Sequence, residues 1–349
     1  MISTLVFVLL FCVVALLVYM GRYSGRVQLE QTRLIEAPLE AVYANVADLR
    51  NWQQWSPWLQ AETGVDVVHG DQTDKAGSRC SWDSTSMSAG MIEHLRLVSQ
   101  QRIEQRLRLR HPFAIAGQCN WTFDKEGEKT VVTWAVRARV PFSMRAFAGT
   151  VKSSLVLDCR YSLDMLASRL EPASAPHYQI IHLGVRDIPA RQYIFRNYQG
   201  PISGLPEALR RSTGEMLEQL AAHGLMAAGA PMAIYFKTNI KFRTTVCHIG
   251  IPVDVVRDLD SLPVRELAAH KAYVVQLLGN PSALEIAWYL AMQRMVSLKT
   301  QPDQRLPPSE SYLGSDDSVS GNDCVTELHL PILDRTDQRA APDAKVSID

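Results

Sequence analysis

Two hydrophobic periods alternate along this chain, and each switch between them marks an element. Val27, Leu29, Thr32, Leu34 and Ile35 are β-suited and predict a strand over 27–36. Pro38 then opens a helix at its first turn, where a missing N–H costs nothing, with Val42, Val46 and Leu49 on one face. Short strand-like runs follow at 77–82, 92–98, 103–109, 119–123 and 131–140. The third alternates well: Ile103, Leu107 and Leu109 fall on one side, Arg102, Arg106 and Arg108 on the other. Gly127, inside Lys125-Glu126-Gly127-Glu128-Lys129, marks a hairpin turn. Leu155, Leu157, Leu163, Leu166 and Leu170 give a closing helix over 151–170. A proline-containing linker spans 171–176. Beyond it, helices are predicted at 205–223, ended by Gly224, and at 283–298. The polar stretch 334–349 reads as a disordered tail.

The start of the chain follows neither period. Residues 2–20 carry no charge, and about 20 such residues are needed to cross a bilayer. Tyr19 stands where an interfacial aromatic belongs, followed by Arg22 and Arg26. The pattern predicts a single-pass transmembrane anchor over 1–21, with a cleaved signal peptide as the alternative. A signal peptide wants a basic start, and Met1-Ile2-Ser3-Thr4 has none. The expectation is an inner-membrane protein, the membrane being one partner, with the arginines placing the remaining domains on the cytoplasmic side.

The half from 178 to 333 repeats itself. Gly200-Pro201 and Gly279-Asn280-Pro281 open the two copies, 79 positions apart. Pro231 leads to Tyr235 in the first, and Pro308 leads to Glu310 and Tyr312 in the second, 77 positions on. The closing strands match from Val246 to Pro252 and from Val325 to Pro331. A duplicated unit packs against its copy and leaves a groove on the pseudo-twofold axis.

Composition narrows the function classes. Hydrophobic residues make up 47% and charged ones 21%, the balance of a packed globular protein. With 36 basic and 36 acidic residues there is no excess charge to bind nucleic acid, so no nucleic-acid partner is expected. The six cysteines lack Cys-x-x-Cys spacing, and no cysteine pair stands near His177 and His182, so no metal site is expected. Neither a Gly-x-Gly-x-x-Gly nor a phosphate-loop motif occurs, and no cofactor is expected. Gly200-Pro201-Ile202-Ser203-Gly204 has the wrong spacing for a nucleophile elbow.

Ile35-Glu36-Ala37-Pro38-Leu39-Glu40-Ala41-Val42-Tyr43, followed by Asn51-Trp52-Gln53-Gln54-Trp55-Ser56-Pro57-Trp58, resembles the start of the SRPBCC superfamily (START/Bet v 1-like, polyketide-cyclase-related). The runs Gly77–Trp82 and Thr130–Trp134 fit the same pattern. The resemblance implies a helix-grip domain over 27–171, with a deep apolar cavity between sheet and closing helix. Six of the seven tryptophans lie here: Trp52, Trp55, Trp58, Trp82, Trp121 and Trp134. They read either as pocket lining or, for the first three, as a clamp holding the first helices to the sheet; the clamp is the preferred reading. The row Arg106, Arg108, Arg110 reads either as a surface for an acidic ligand or as the solvated face of a strand, the latter preferred.

The second half resembles the GyrI-like small-molecule-binding domain, the effector-binding module of multidrug-responsive and AraC-type regulators. The residues that carry this are Arg191-Gln192-Tyr193 through Gly200, Ala233-Ile234-Tyr235, His270-Lys271-Ala272-Tyr273-Val274, Pro308-Ser309-Glu310-Ser311-Tyr312 and Thr326 to Ile332. The resemblance implies an acidic residue at the floor of an aromatic groove, which here is Glu310 with Tyr312 beside it. Tyr235, Tyr273, Trp288 and Tyr289 are the nearest aromatic candidates, though Trp288 and Tyr289 read equally as core of their helix. The chain departs from the pattern at Ile202, Ala272 and Cys247-His248; the last removes a candidate second carboxylate.

The sequence therefore predicts an α+β protein: an N-terminal transmembrane helix, a helix-grip domain, and a duplicated antiparallel β/α domain of pseudo-twofold symmetry. Its expected function is to sense or sequester a small hydrophobic or cationic amphipathic molecule without catalysis. A hydrolase or cyclase using Glu310 as general base is the alternative. A protein partner bound through 178–333 is a third reading.

Overall fold

A computed structural model describes residues 11, 14–15, 18–19, 21–60, 65–83, 88–111, 113–171, 178–239, 242–254, 262–314 and 324–333. The chain divides into two compact units, Met1–Ala175 and Pro176–Asp349.

The first unit is built on one antiparallel sheet. Its strands are β1 (Arg26–Ile35), β2 (Asp66–His69), β3 (Arg79–Asp83), β4 (Ala89–Val98), β5 (Arg102–His111), β6 (Ile115–Glu126) and β7 (Lys129–Arg139). They run in the order β1-β7-β6-β5-β4-β3-β2. Gly127, at φ +61°, makes the tight turn between β6 and β7, a conformation that L side chains rarely adopt. Helices α1 (Leu39–Ala47) and α2 (Pro57–Gln60) lie between β1 and β2. The long helix α3 (Ala148–Leu170) follows β7 and buries Val151, Leu155, Cys159, Leu163 and Leu166 along one stripe.

The space between sheet and helices is full of indoles. The six tryptophans of this unit are each 4% exposed or less. Trp121 and Trp134 stack with ring centroids 4.1 Å apart, and Trp58 stacks on Trp82 at 6.0 Å. Trp52 touches Trp55, Trp121 and Trp134, so the segment after α1 is clamped to β6 and β7 by aromatic contact.

The second unit carries an eight-stranded antiparallel sheet. Its strands are β8 (Tyr178–Ile188), β9 (Arg191–Pro201), β10 (Met232–Asn239), β11 (Thr244–Val253), β12 (Val264–Leu267), β13 (His270–Gly279), β14 (Ser309–Tyr312) and β15 (Val325–Pro331). Helix α4 (Leu205–Ala222) follows β9, and α5 (Leu284–Ser297) follows β13. Gly224, at φ +70°, ends α4, and Leu225 N–H closes the cap on the Leu220 carbonyl at 2.9 Å. The strand order β12-β9-β11-β10-β14-β15-β13-β8 reads the same from either edge once the copies are interchanged. The edge strands are exchanged: β8, which leads into the first copy, pairs with β13 of the second, and β12, which leads into the second, pairs with β9 of the first.

Two expectations need correcting. The fold is mostly antiparallel β-sheet with a few helices, not an α+β chain headed by a transmembrane helix. Edge strands β2, β8 and β12 are absent from the sequence prediction because their apolar alternation is weak, and the partners of β8 and β12 also lie far off in sequence. No helix among the described residues is long and apolar enough to cross a membrane. That finding gives no support to the anchor expected over 1–21 or to the inner-membrane location; 1–10, 12–13, 16–17 and 20 lie outside the described residues, as does the tail 334–349.

Candidate functional site

Strand β14 places the predicted carboxylate at the centre of the second unit's sheet. Side chains alternate along a strand, so Glu310 and Tyr312 share one face. Ala233 of β10 stands directly opposite Glu310, so Tyr235, two residues along, faces the same way. Tyr235 N–H donates to the Pro308 carbonyl and Tyr312 N–H to that of Pro231, both at 2.9 Å. These mirrored bonds put the local twofold between Ala233 and Glu310, which hold the same position in their two copies. A side chain no larger than alanine on one side leaves room for a single carboxylate from the other.

Both copies then serve that one carboxylate. Tyr235 donates its phenol to Glu310 Oε2 at 2.8 Å, and Tyr312 donates to the same oxygen at 2.5 Å. Trp288, on α5, donates its indole Nε1–H to Oε1 at 2.5 Å. The Tyr235 and Trp288 rings meet edge to face, centroids 6.1 Å apart. Position 209 is the counterpart of 288 in the first copy, and Leu209 there packs into the apolar core with no donor to give.

Glu310 is 1% exposed, whereas the three rings around it are only partly buried. The carboxylate is a floor and the rings are its walls. Burial pushes its carboxyl above the usual range; the bonds from Trp288, Tyr312 and Tyr235 favour the ionised form and oppose that shift without cancelling it. Burial and the neighbouring carboxylate hold both phenols well above their ordinary value. Cys247, opposite Tyr235 in the sheet, is pushed up to about 12, by burial first and the Glu310 charge second. That makes it an inert thiol. No lysine or arginine among the described residues forms an ion pair with Glu310. Among the described residues, no group of His, Cys, Asp and Glu could hold a metal ion.

Of the predicted residues, Glu310, Tyr312, Tyr235 and Trp288 come together. Tyr273 belongs elsewhere: its hydroxyl lies 3.0 Å from His182 Nδ1, a residue of β8, and Arg294 on α5 acts on it. Tyr289 follows Trp288 about 100° round the helix and is not among the donors to Glu310. The 77-residue offset that pairs Tyr235 with Tyr312 also pairs Ala233 with Glu310, so the alanine opposite the carboxylate is legible in the sequence. His248, noted in sequence only as a departure from the family pattern, stacks on Phe195 with centroids 3.8 Å apart, lies 3.1 Å from the Tyr193 hydroxyl through Nδ1, and is pushed down to about 4 by burial.

Residues 26–171 match the family described as polyketide cyclase/dehydrase and lipid transport. None of the curated proteins matches the chain. Among solved structures, protein CV1439 from Chromobacterium violaceum is 19% identical, covering 42% of this chain and 97% of its own, with a TM-score of 0.33. The EcmrR C-terminal domain is 17% identical, covering 45% and 98%, with a TM-score of 0.39. SAV2435, solved bound to tetraphenylphosphonium, is 13% identical, covering 45% and 94%, with a TM-score of 0.34. Similarity at that level says nothing of what this chain does.

Proposed function

We propose that residues 178–333 form a GyrI-like small-molecule-binding domain and that Glu310 receives the cationic group of an amphipathic ligand. Together with a ligand-binding role for the family-matched segment 26–171, this makes the chain a tandem small-molecule-binding protein that senses or sequesters such compounds. One observation carries the reading: a fully buried carboxylate is held by three aromatic donors and has no counter-cation among the described residues. A buried charge without a partner is disfavoured, so a ligand cation would complete the site. The apolar part of the ligand would pack on Tyr235, Tyr312 and Trp288, where each ring contributes about 0.5–2 kcal/mol to a cation. Only one copy supplies a carboxylate, so the site suits a single positive charge rather than a dication.

Native mass spectrometry of the purified full chain tests this directly. The expected result is retention of small cationic amphiphiles that dissociate on mild activation. Titration with a panel of lipophilic cations and their neutral isosteres giving no binding at any concentration tried would end the proposal.

The raised Glu310 carboxyl also favours a second reading, in which it acts as a general base on an electrophilic substrate. Turnover that vanishes in Glu310→Gln while binding survives would select it.

A further inference from the structure

The outer face of the first unit's sheet carries a row of arginines, and most of them are neutralised. Glu93 holds Arg79 at 2.9 Å and Arg106 at 2.7 Å, Asp83 holds Arg110 at 3.0 Å, and Glu104 holds Arg102 at 3.2 Å. Towards the β1 edge this pairing stops. Arg26 of β1 stands directly opposite Arg139 of β7, with Arg137 two residues along on the same face. Ala116 of β6 is in register with Arg139 on one side and with Arg108 of β5 on the other. All four arginines are exposed, and none has an ion pair among the described residues. Like charges placed directly opposite each other destabilise a sheet, so this arrangement asks for a counter-charge that the described residues do not supply.

The surface between these arginines is concave. A groove of about 390 Å³ is lined by Arg26, Arg137 and Arg139, by the amides of Gln28 and Gln118, and by a floor of Ala116 and Gly117. Ala116 supplies the side chain of that floor, while Gly117, in register with buried Ala138, offers only backbone because its position faces the other side of the sheet. Three guanidinium forks around a small-residue floor, with two neutral amides beside them, match a tetrahedral dianion: a guanidinium binds phosphate through two parallel N–H bonds, and glutamine donates without adding charge. The volume lies within the range of small-ligand pockets, and the chain as a whole carries no basic excess for a nucleic acid.

We infer that this groove binds the phosphate group of a phosphorylated small molecule, through Arg26, Arg137 and Arg139, with Arg108 at its rim. The site is separate from Glu310 and does not depend on what Glu310 binds. Its preference is opposite in sign: one unit takes an anion on its sheet surface, the other a cation against its rings.

The test uses the full chain and two probes: inorganic pyrophosphate, titrated by calorimetry, and vesicles of phosphatidylcholine and phosphatidylglycerol in equal parts, assayed by co-sedimentation. Four variants accompany the wild type: Arg26→Ala, Arg139→Ala, Arg139→Lys and, as a control from a paired position, Arg102→Ala. Because all of these side chains are exposed, thermal melts should coincide. Pyrophosphate should bind, weakening roughly tenfold in each of the two groove alanine variants and by less in Arg139→Lys, with Arg102→Ala unchanged. Binding confined to the vesicles, with the same loss pattern, supports the same phosphate chemistry and places its source in a lipid headgroup. The proposal is overturned if neither probe binds, if Arg102→Ala loses as much as Arg139→Ala, or if Arg139→Lys binds as well as wild type. The last result would mean diffuse attraction rather than a built site. Tight binding of duplex DNA lost in the same variants would also overturn it, in favour of a nucleic-acid surface.

Discussion

Glu310→Gln separates a ligand carboxylate from a structural one. A cation resting on the outer side of the Tyr235, Tyr312 and Trp288 rings would lie about 5 Å from the carboxylate. At an effective dielectric of about 20 the attraction is about 3 kcal/mol, so losing the charge weakens cation binding on the order of a hundredfold. Stability should move differently. The wild-type side chain is 1% exposed, and its carboxyl is raised from 4.5, which means that folding prefers it neutral. Removing the charge relieves that desolvation, while the three donors lose a charged acceptor worth about 1.5–3 kcal/mol per bond. The two terms oppose, and the melting temperature should change by a few degrees at most. The assay pairs calorimetry against tetraphenylphosphonium and the neutral triphenylphosphine oxide with a thermal melt. The expected outcome is a hundredfold loss for the cation, little change for the neutral compound, and a near-native melt. A variant that melts far lower yet binds the cation as tightly as wild type would refute the reasoning, because Glu310 would then be a hydrogen-bond hub and nothing more.

Further outcomes follow from the same geometry. Cation affinity should climb as pH rises from 4.5 through the raised carboxyl value, and Tyr235→Phe or Tyr312→Phe, each deleting a bond to the ionised form, should move that climb to higher pH; a pH series of titrations reads both. The same raised carboxyl stabilises the fold most below pH 4.5, and that contribution is lost as pH rises through the folded value. His248 works the other way: its folded value is depressed from 6.5 to about 4, so its contribution is present above 6.5 and lost as pH falls towards 4; His248→Phe should flatten part of that acid-side loss in a series of melts. In the first unit, Trp121 donates to Gln105 Oε1 at 2.9 Å, and Gln105 lies 3.3 Å from His94 Nδ1; Trp121→Phe should cost about 3 kcal/mol in denaturant unfolding, from the lost ring volume and the stranded acceptor.

Much of this was readable from local pattern. The 3.6-residue period with Pro38 and Gly224 as punctuation predicts α1 and the end of α4, and the alternation in 103–109 predicts β5 with its arginines outward. Glu310, Tyr312 and Tyr235 stand out because the two copies can be aligned by eye and a family resemblance points to the same residues. Such signals lie within a few residues of each other, or repeat at a fixed offset.

Tertiary structure decided what those signals join. Tyr235 and Tyr312 donate to one oxygen because β10 and β14 pair across the local twofold, and register between strands of different copies is a long-range property. Trp288 reads equally as core until α5 is laid on the sheet, and Tyr273 looks equally eligible until β8 brings His182 to its hydroxyl. The exchange of β8 and β12 was invisible for the same reason, and so was the contrast among the arginines. In sequence, Arg106, Arg108 and Arg110 are one stripe. In the sheet, Glu93 and Asp83 claim two of them, and Arg108 is left in line with Arg26 and Arg139. The sequence determined which side chains were available on each face. Charge compensation and shared acceptors depend on neighbours far apart in the chain, and only the packed sheets choose those.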